Sequence, residues 1–351
     1  MICSSDVSRE VVKLAEEGRD LGREEIVALL SLRSPEEMEM LFRAADRVRR
    51  DCVGEAVFLR GIIEFSSHCR NNCRYCGLRR DNINAHRYRM DDETILKLAR
   101  DIQGRGCTTV VLQSGEDPYY TRERMVRIIR GIKAETDLAV TLSTGQRAYS
   151  DYEAFLEAGA DRYLLRHETA NPELYAESCP GRTLDERIQC LTWLRELDYE
   201  VGMGCMVGLP GQTLYDLADD VLLIREIDAD MIGVGPFIPH PQTPLAAHPA
   251  GDPSLVLRML AVIRLVTRDT HIPATTALGV LDGEKRKQAF EAGANVFMPV
   301  FTPQEYAGQY EIYPGKGDVK KADGAILDFT AFFESIGRLI GTGPGGRGRT
   351  S

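Results

Sequence analysis

Between residues 7 and 50, apolar side chains recur among charges at helical spacing: Val11, Val12 and Leu14, then Ile26, Leu29 and Leu30, then Met40, Leu41 and Phe42. This is the period of amphipathic helices. Ser34-Pro-Glu-Glu reads as a helix start, with Ser34 as N-cap and Pro35 in the first turn. From residue 56 the pattern changes. Nearly continuous apolar runs at 56–65, 108–114, 138–143, 162–168, 200–207, 231–238, 272–277 and 294–300 alternate with helical patterns in most of the intervals. Such runs fit strands covered on both faces. Eight strand-then-helix units predict a complete (βα)8 TIM barrel. The expected organisation is an N-terminal helical lead-in over 1–50, the barrel over 51–310 and a C-terminal extension over 311–351. That extension ends in a glycine-rich tail from Gly341, expected to be mobile or to dock late. An open doubly wound sheet is the alternative, but no GxGxxG follows the first strand.

Composition narrows the class. A chain of 351 residues with 43% hydrophobic content can bury a core of barrel size. A net charge of −10 argues against an electrostatic nucleic-acid binder and favours a small-molecule substrate or a protein partner. Nine cysteines without regular pairing do not resemble a secreted disulfide framework. Together with a start that lacks a signal-peptide pattern and the absence of a membrane-length apolar run, they predict a cytoplasmic protein.

The candidate chemistry lies just after the first strand, in Cys69-Arg-Asn-Asn-Cys73-Arg-Tyr-Cys76. Three thiolates in eight residues can hold an iron–sulfur cluster and leave one iron without a protein ligand, whereas closed structural sites take four ligands. A Cys3His zinc site completed by His68 or His86, in a protein that binds metal without catalysis, is the competing reading. It is disfavoured because no second cysteine or histidine pair follows Cys76. The remaining cysteines, Cys3, Cys52, Cys107, Cys179, Cys190 and Cys205, read as packing residues.

Polar residues late in barrel strands mark candidate ligand sites. The two-residue period puts Arg162, Leu164, Arg166 and Glu168 on one face. Charges facing a lumen need partners, from a charged ligand or from an internal ion-pair network. Thr141 and Ser143 share a face, Gln113 ends the second strand, and the seventh run carries Thr275 and Thr276. His240, between Pro239 and Pro241, reads as a turn residue. Arg187, by its helical context alone, reads as a solvated residue.

The cysteine spacing with Tyr75 before the third cysteine resembles the signature of the radical S-adenosylmethionine (SAM) superfamily. Further motifs in order, Gln113-SGEDPYY, Arg166-HETANPELY, Met206-VGLPGQT, Gly235-PFIPHPQTPLA, Ile272-PATTA and Tyr313-PGK, resemble the HydE family, maturases of FeFe-hydrogenase, over nearly the whole chain. The resemblance implies one 4Fe-4S cluster on Cys69, Cys73 and Cys76, with SAM on the open iron. It places Ser143, Glu168 and Arg187 against SAM, with Gln113 and Arg166 close by. It assigns a lower pocket to Thr141, Arg162, Thr275, Thr276 and Met298, and puts Tyr310 and Tyr313 near the reacting centre. The implied activity is reductive cleavage of SAM to a 5'-deoxyadenosyl radical. The implied substrate is a small organometallic, amino-acid-derived iron–cysteine complex bearing carbon monoxide and cyanide, converted to a diiron precursor. The implied partners are HydG, a scaffold maturase and a one-electron donor.

Two departures stand out. Family members with a second cluster carry three cysteines after the YPGK motif, whereas residues 317–328 here contain none. Gln146 follows Gly145 where the family carries an acidic residue. Methylornithine synthase and biotin synthase share the expected scaffold and are the rival radical SAM activities. Biotin synthase fits poorly, since it uses further lumen cysteines and Cys205 has no companions on other strands.

Overall fold

The computed structural model describes residues 4–318 and 328–347. Three helices lead in: α1 (Ser4–Glu16), α2 (Arg23–Leu30) and α3 (Pro35–Val53). Ser34 caps α3 as its sequence predicts, accepting from the Glu37 amide at 3.2 Å while Glu37 reaches back to the Ser34 amide at 3.3 Å, the reciprocal pattern of a capping box.

The strands are β1 (Ala56–Ser66), β2 (Thr109–Ser114), β3 (Ala139–Ser143), β4 (Arg162–Leu164), β5 (Glu200–Met203), β6 (Met206–Val207), β7 (Met231–Ile232), β8 (Gly235–Pro236), β9 (Val296–Phe297) and β10 (Leu339–Ile340). The main sheet is parallel and runs β1-β2-β3-β4-β5-β7, with β9 and β10 both on the free edge of β1. Strands β6 and β8 pair separately beyond the ends of β5 and β7. Helices α4 (Asp92–Gly104), α5 (Arg122–Glu135), α6 (Tyr149–Glu157), α7 (Pro172–Ser178), α8 (Leu184–Glu196), α9 (Leu214–Ile227) and α10 (Pro253–Thr267) follow the strands in order. Side-chain caps at Asp91, Thr121, Asn171, Thr183, Thr213 and Asp252 start six of them, as expected of residues that satisfy the first free amides. Leu, Ile and Val from the sheet and the helices form one continuous buried core.

The sheet is a curled, incomplete barrel rather than a ring of eight regular strands. The expected strand at 272–277 is not one. His271 and Pro273 make isolated bridges to Met231 and Val296, and Thr276 already opens a helix, α11 (Thr276–Leu281). Pro273 cannot donate to a ladder, and the Ile272 amide donates instead to the Asn295 side chain at 2.9 Å.

The glycine-rich tail is docked against the barrel as far as Arg347. Gly341 donates to Val57 O at 2.9 Å, and the Pro344 and Gly345 carbonyls accept from the buried guanidinium groups of Arg162 and Arg60 at 3.1 and 3.0 Å. Arg347 pairs with Asp228 and Asp269 at 2.6 and 2.7 Å. The tail is the floor beneath the barrel, where its carbonyls complete two buried guanidinium groups that the strands satisfy only in part. Residues 348–351, and 319–327 in the cysteine-free stretch, lie outside the described residues. A chain truncated after Ile340 is expected to lose about 3 kcal/mol in urea unfolding, the scale of hydrogen bonds to charged groups. Adding Arg60→Met to the truncation should restore part of that loss.

No helix among the described residues is long and apolar enough to cross a membrane.

Candidate active site

The cysteine loop leaves the end of β1 and is tied down through its backbone. Arg70 N donates to Glu116 O at 3.0 Å, Arg74 N to Ser178 O at 2.8 Å and Gly77 N to Ile312 O at 3.0 Å. Gly115 makes this close approach possible, since a Cβ there would lie 2.2 Å from His68 O and 2.8 Å from the Cys69 Cβ. Arg87 braces the loop from below, donating to the carbonyls of Ser67, Leu78 and Arg79 at 2.5, 3.0 and 2.8 Å.

Spacing decides what the three thiols can hold. Ligand sulfurs around one tetrahedral zinc would sit about 3.8 Å apart, given a Zn–S bond of about 2.3 Å. Among the described residues, the one group of three metal-ligating side chains whose atoms all lie within 4.8 Å of one another is His167, Cys205 and Asp220. Cys69, Cys73 and Cys76 are not gathered within that distance, so they are not pre-set around a single ion. Burial pushes the Cys69 and Cys76 thiols up, so loading the site releases protons. Cys73 differs. A hydrogen bond with the Cys179 thiol and the charge of Arg187 hold it below the ordinary range against the effect of burial.

Beside the cysteines the barrel mouth opens into a cavity. Its walls include Cys69, Cys76, Gln113, Ser143, Arg166, Glu168, Arg187, Tyr310 and Tyr313. Gln113 and Ser143 are opposed in the β2–β3 register. Arg166 lies 3.6 Å from Glu168, yet Arg166 Nε and Glu168 Oε2 are buried without a hydrogen-bond partner. Orphaned charged atoms in a cavity are costly unless a ligand completes them. Arg187 is buried, contrary to its solvated reading, and its Nε donates to the Tyr175 hydroxyl at 3.1 Å. Burial alone would weaken its charge, but the Tyr175 hydroxyl and Glu168 hold it protonated. Two cations, one carboxylate, a hydroxyl, an amide and the apolar Met206, Phe237 and Ile238 make a donor set that fits a zwitterionic nucleoside such as SAM.

Glu168 sits at φ 69°, a left-handed backbone that costs a non-glycine residue about 1 kcal/mol or more. It is held there by its amide to Gly204 O at 3.0 Å and by Met206 N to its own carbonyl at 2.9 Å. Behind it, His167 Nε2 meets Asp220 Oδ1 at 3.1 Å in a fully buried pair next to Cys205. Burial raises the Asp220 carboxyl. Neither this support nor the Cys73–Cys179 contact was read from the sequence, because each depends on long-range packing.

The residues expected in a lower pocket do not line the mouth cavity. Thr141 is buried with its hydroxyl unpartnered, and Met298 packs with Ile62, Val111 and Val300. Thr275 Oγ1 donates to Val234 O at 3.0 Å, and Thr276 begins α11. Arg162 is placed differently from its expected ligand role. It is fully engaged by Glu200, by Thr109 Oγ1 at 3.1 Å and by Pro344 O at 3.1 Å, so it is part of an internal network at the barrel floor. Lys316 pairs with Glu64 and lies 4.5 Å from the centre of the Tyr310 ring. Gln146 takes one arm of Arg182 while Glu116 takes another, and its amide donates to Glu116 at 2.9 Å. An acidic residue there would face Glu116. Cys52 is exposed rather than packed, Cys107, Cys179, Cys190 and Cys205 are buried, and Cys3 lies outside the described residues. His240 forms the turn it was read as, its Nδ1 accepting from Gln242 N at 3.1 Å.

The Radical SAM superfamily model matches residues 63–224. The chain is 48% identical to the [FeFe] hydrogenase maturase subunit HydE of Thermotoga maritima over 97% of this chain and 98% of that one. It is 31% identical to the 3-methylornithine synthase of Methanosarcina acetivorans over 84% of this chain and 83% of that one. A crystal structure of methylornithine synthase superposes with a TM-score of 0.82 at 26% identity, over 95% of this chain and 97% of that one. The chain belongs to the HydE family of radical SAM enzymes, which use a 4Fe-4S cluster and SAM.

Proposed function

We propose that this enzyme acts in assembly of the active-site cluster of FeFe-hydrogenase. Its substrate is then an iron–cysteine complex bearing carbon monoxide and cyanide, supplied by HydG, and its product a diiron precursor passed to a scaffold maturase. The observation that carries the reading is the cavity in which Glu168, Arg166 and Arg187 face the three-thiol loop, in a chain 48% identical to a HydE maturase over almost all of both lengths.

When bound, the cluster and SAM supply one-electron cleavage of a carbon–sulfur bond. The chain's own residues do the rest. Cys69, Cys73 and Cys76 hold the cluster. Gln113, Ser143, Arg166, Glu168 and Arg187 bind and orient SAM through charge-assisted contacts. Tyr310, buried, and Tyr313, half-buried, both with hydroxyls kept protonated by desolvation, wall the reacting region from water. Thr141, Thr275, Thr276 and Met298 border the substrate lower in the lumen, and Arg162 serves that pocket by holding its floor. Segments 1–50 and 311–351 are then the lead-in and the extension of the barrel of 51–310, which residues 271–273 join through isolated bridges alone.

The test is anaerobic reconstitution followed by hydrogenase maturation in vitro with HydG and the scaffold maturase. Hydrogenase activity that requires this protein together with 5'-deoxyadenosine release supports the proposal, and activation without it refutes the maturase role. The likeness to 3-methylornithine synthase carries a second reading, in which lysine is rearranged. Methylornithine formed from lysine would replace the first reading with that one.

A further inference from the structure

We propose that the arginine-rich loop beyond the cluster cysteines is the docking surface for a small acidic one-electron carrier protein, with Ile83 as its apolar anchor. The family reading enters only in what the delivered electron is used for.

Charge is the first observation. From His68 to Arg89 the chain carries six arginines and a single acid, Asp81, although its net charge is −10. The few carboxylates nearby do not cancel this excess. Glu116 is shared between Arg70 and Arg182. Asp81 serves both Arg79 and Arg80. Arg87 donates to backbone carbonyls alone. Only Arg89 has a carboxylate to itself, Asp117 at 2.7 Å.

Shape is the second. Ile83 is 91% exposed, the most exposed large hydrophobic residue among those described. Its backbone is nevertheless pinned. The adjacent Asn82 side chain is buried and donates to Gly77 O at 2.7 Å and to Gln242 Oε1 at 3.0 Å, while its Oδ1 accepts from Asn84 N at 3.2 Å. An isoleucine held out into water on a fixed loop, three positions from the 63%-exposed Arg80, matches the apolar centre of a specific interface.

Position is the third. The loop begins at Cys76 and folds back over the cysteines, with Arg80 N donating to Asn71 O at 2.7 Å and Asn72 Nδ2 to Asp81 Oδ2 at 2.6 Å. A carrier seated on Ile83 therefore stands over the cluster ligands. The exchange is simple: the reduced carrier gives up one electron, the cluster takes it, and no bond or proton moves. The arginine excess of the loop steers an acidic partner and makes the encounter salt-sensitive.

The test uses the cluster-loaded enzyme and a purified acidic bacterial ferredoxin as probe. Wild type should bind it, and binding should weaken several-fold between about 50 and 300 mM salt. Ile83→Asp and Arg80→Glu should each raise the ferredoxin Kd by about tenfold or more. Ferredoxin-driven formation of 5'-deoxyadenosine at limiting carrier should fall in step, whereas dithionite-driven formation should stay at the wild-type rate. Wild type that does not bind ferredoxin, or variants that bind it as wild type does, overturn the docking surface. No 5'-deoxyadenosine from wild type with dithionite overturns the radical SAM reading instead, and leaves the Kd comparison standing.

Discussion

Cys69→Ala, Cys73→Ala and Cys76→Ala are each expected to lose SAM cleavage by at least about 10³-fold, because removing only the outer-shell partner of a metal ligand already costs about 10–100-fold. Iron bound per chain should fall with activity in each variant. The informative control is Cys179→Ala. Cys179 is buried, hydrogen-bonds to Cys73 and lies 3.9 Å from the Tyr75 hydroxyl, so the structure offers a fourth thiol beside the three. If the cluster keeps an open iron, Cys179→Ala retains iron content and SAM cleavage. A Cys179→Ala variant that loses iron as the other three do would mean a four-thiolate site with no vacancy, and the assignment of SAM to that iron would fall. Iron analysis, visible absorbance and 5'-deoxyadenosine yield, measured on the four variants together, settle it.

The cysteine trio was legible in the sequence because its chemistry is local: three ligands in one loop need no fold to bring them together. Most strand positions were legible for a similar reason, since continuous apolar runs of strand length report burial on both faces wherever they pair. The failures share a physical origin as well. Residues 272–277 have the composition of a strand, but Pro273 lacks the donor and the chain turns into α11 at Thr276, so a missing ladder donor overrode apolar content. The tail, without apolar periodicity, left mobility and docking both open, and what docks it is its carbonyls, which accept from Arg60 and Arg162. Arg162 shows the limit of period-two reasoning. The rule placed it on the lumen face, but could not say that position 162 lies at the floor, within reach of Glu200 and Pro344, while Arg166 on the same face reaches the mouth. Arg187 looked solvated because nothing local reveals which side of α8 faces the cavity. Only the packing of Tyr175 against it shows that.

Glu168 carries the second large effect, and its backbone gives the prediction two independent readouts. Glu168→Ala should weaken SAM binding by about 10–100-fold, the range of losing a charged hydrogen bond worth about 1.5–3 kcal/mol. Glu168→Gly should lose the same affinity, since both variants lack the carboxylate. They should differ in stability. At φ 69° alanine pays the left-handed penalty and glycine does not, so in urea unfolding of the cluster-free protein the glycine variant should be the more stable of the two by about 1 kcal/mol. Glu168→Gln keeps the shape and removes the charge, and SAM binding that survives in it would assign the contact to hydrogen bonding rather than to charge. Equal SAM affinity in wild type and Glu168→Ala would remove Glu168 from the SAM site. Equal stability of the alanine and glycine variants would show that the bridge to Cys205 and the His167–Asp220 pair behind it hold no strain at this residue. The two results are separable because affinity reports the carboxylate in the cavity, whereas unfolding reports the backbone that aims it there.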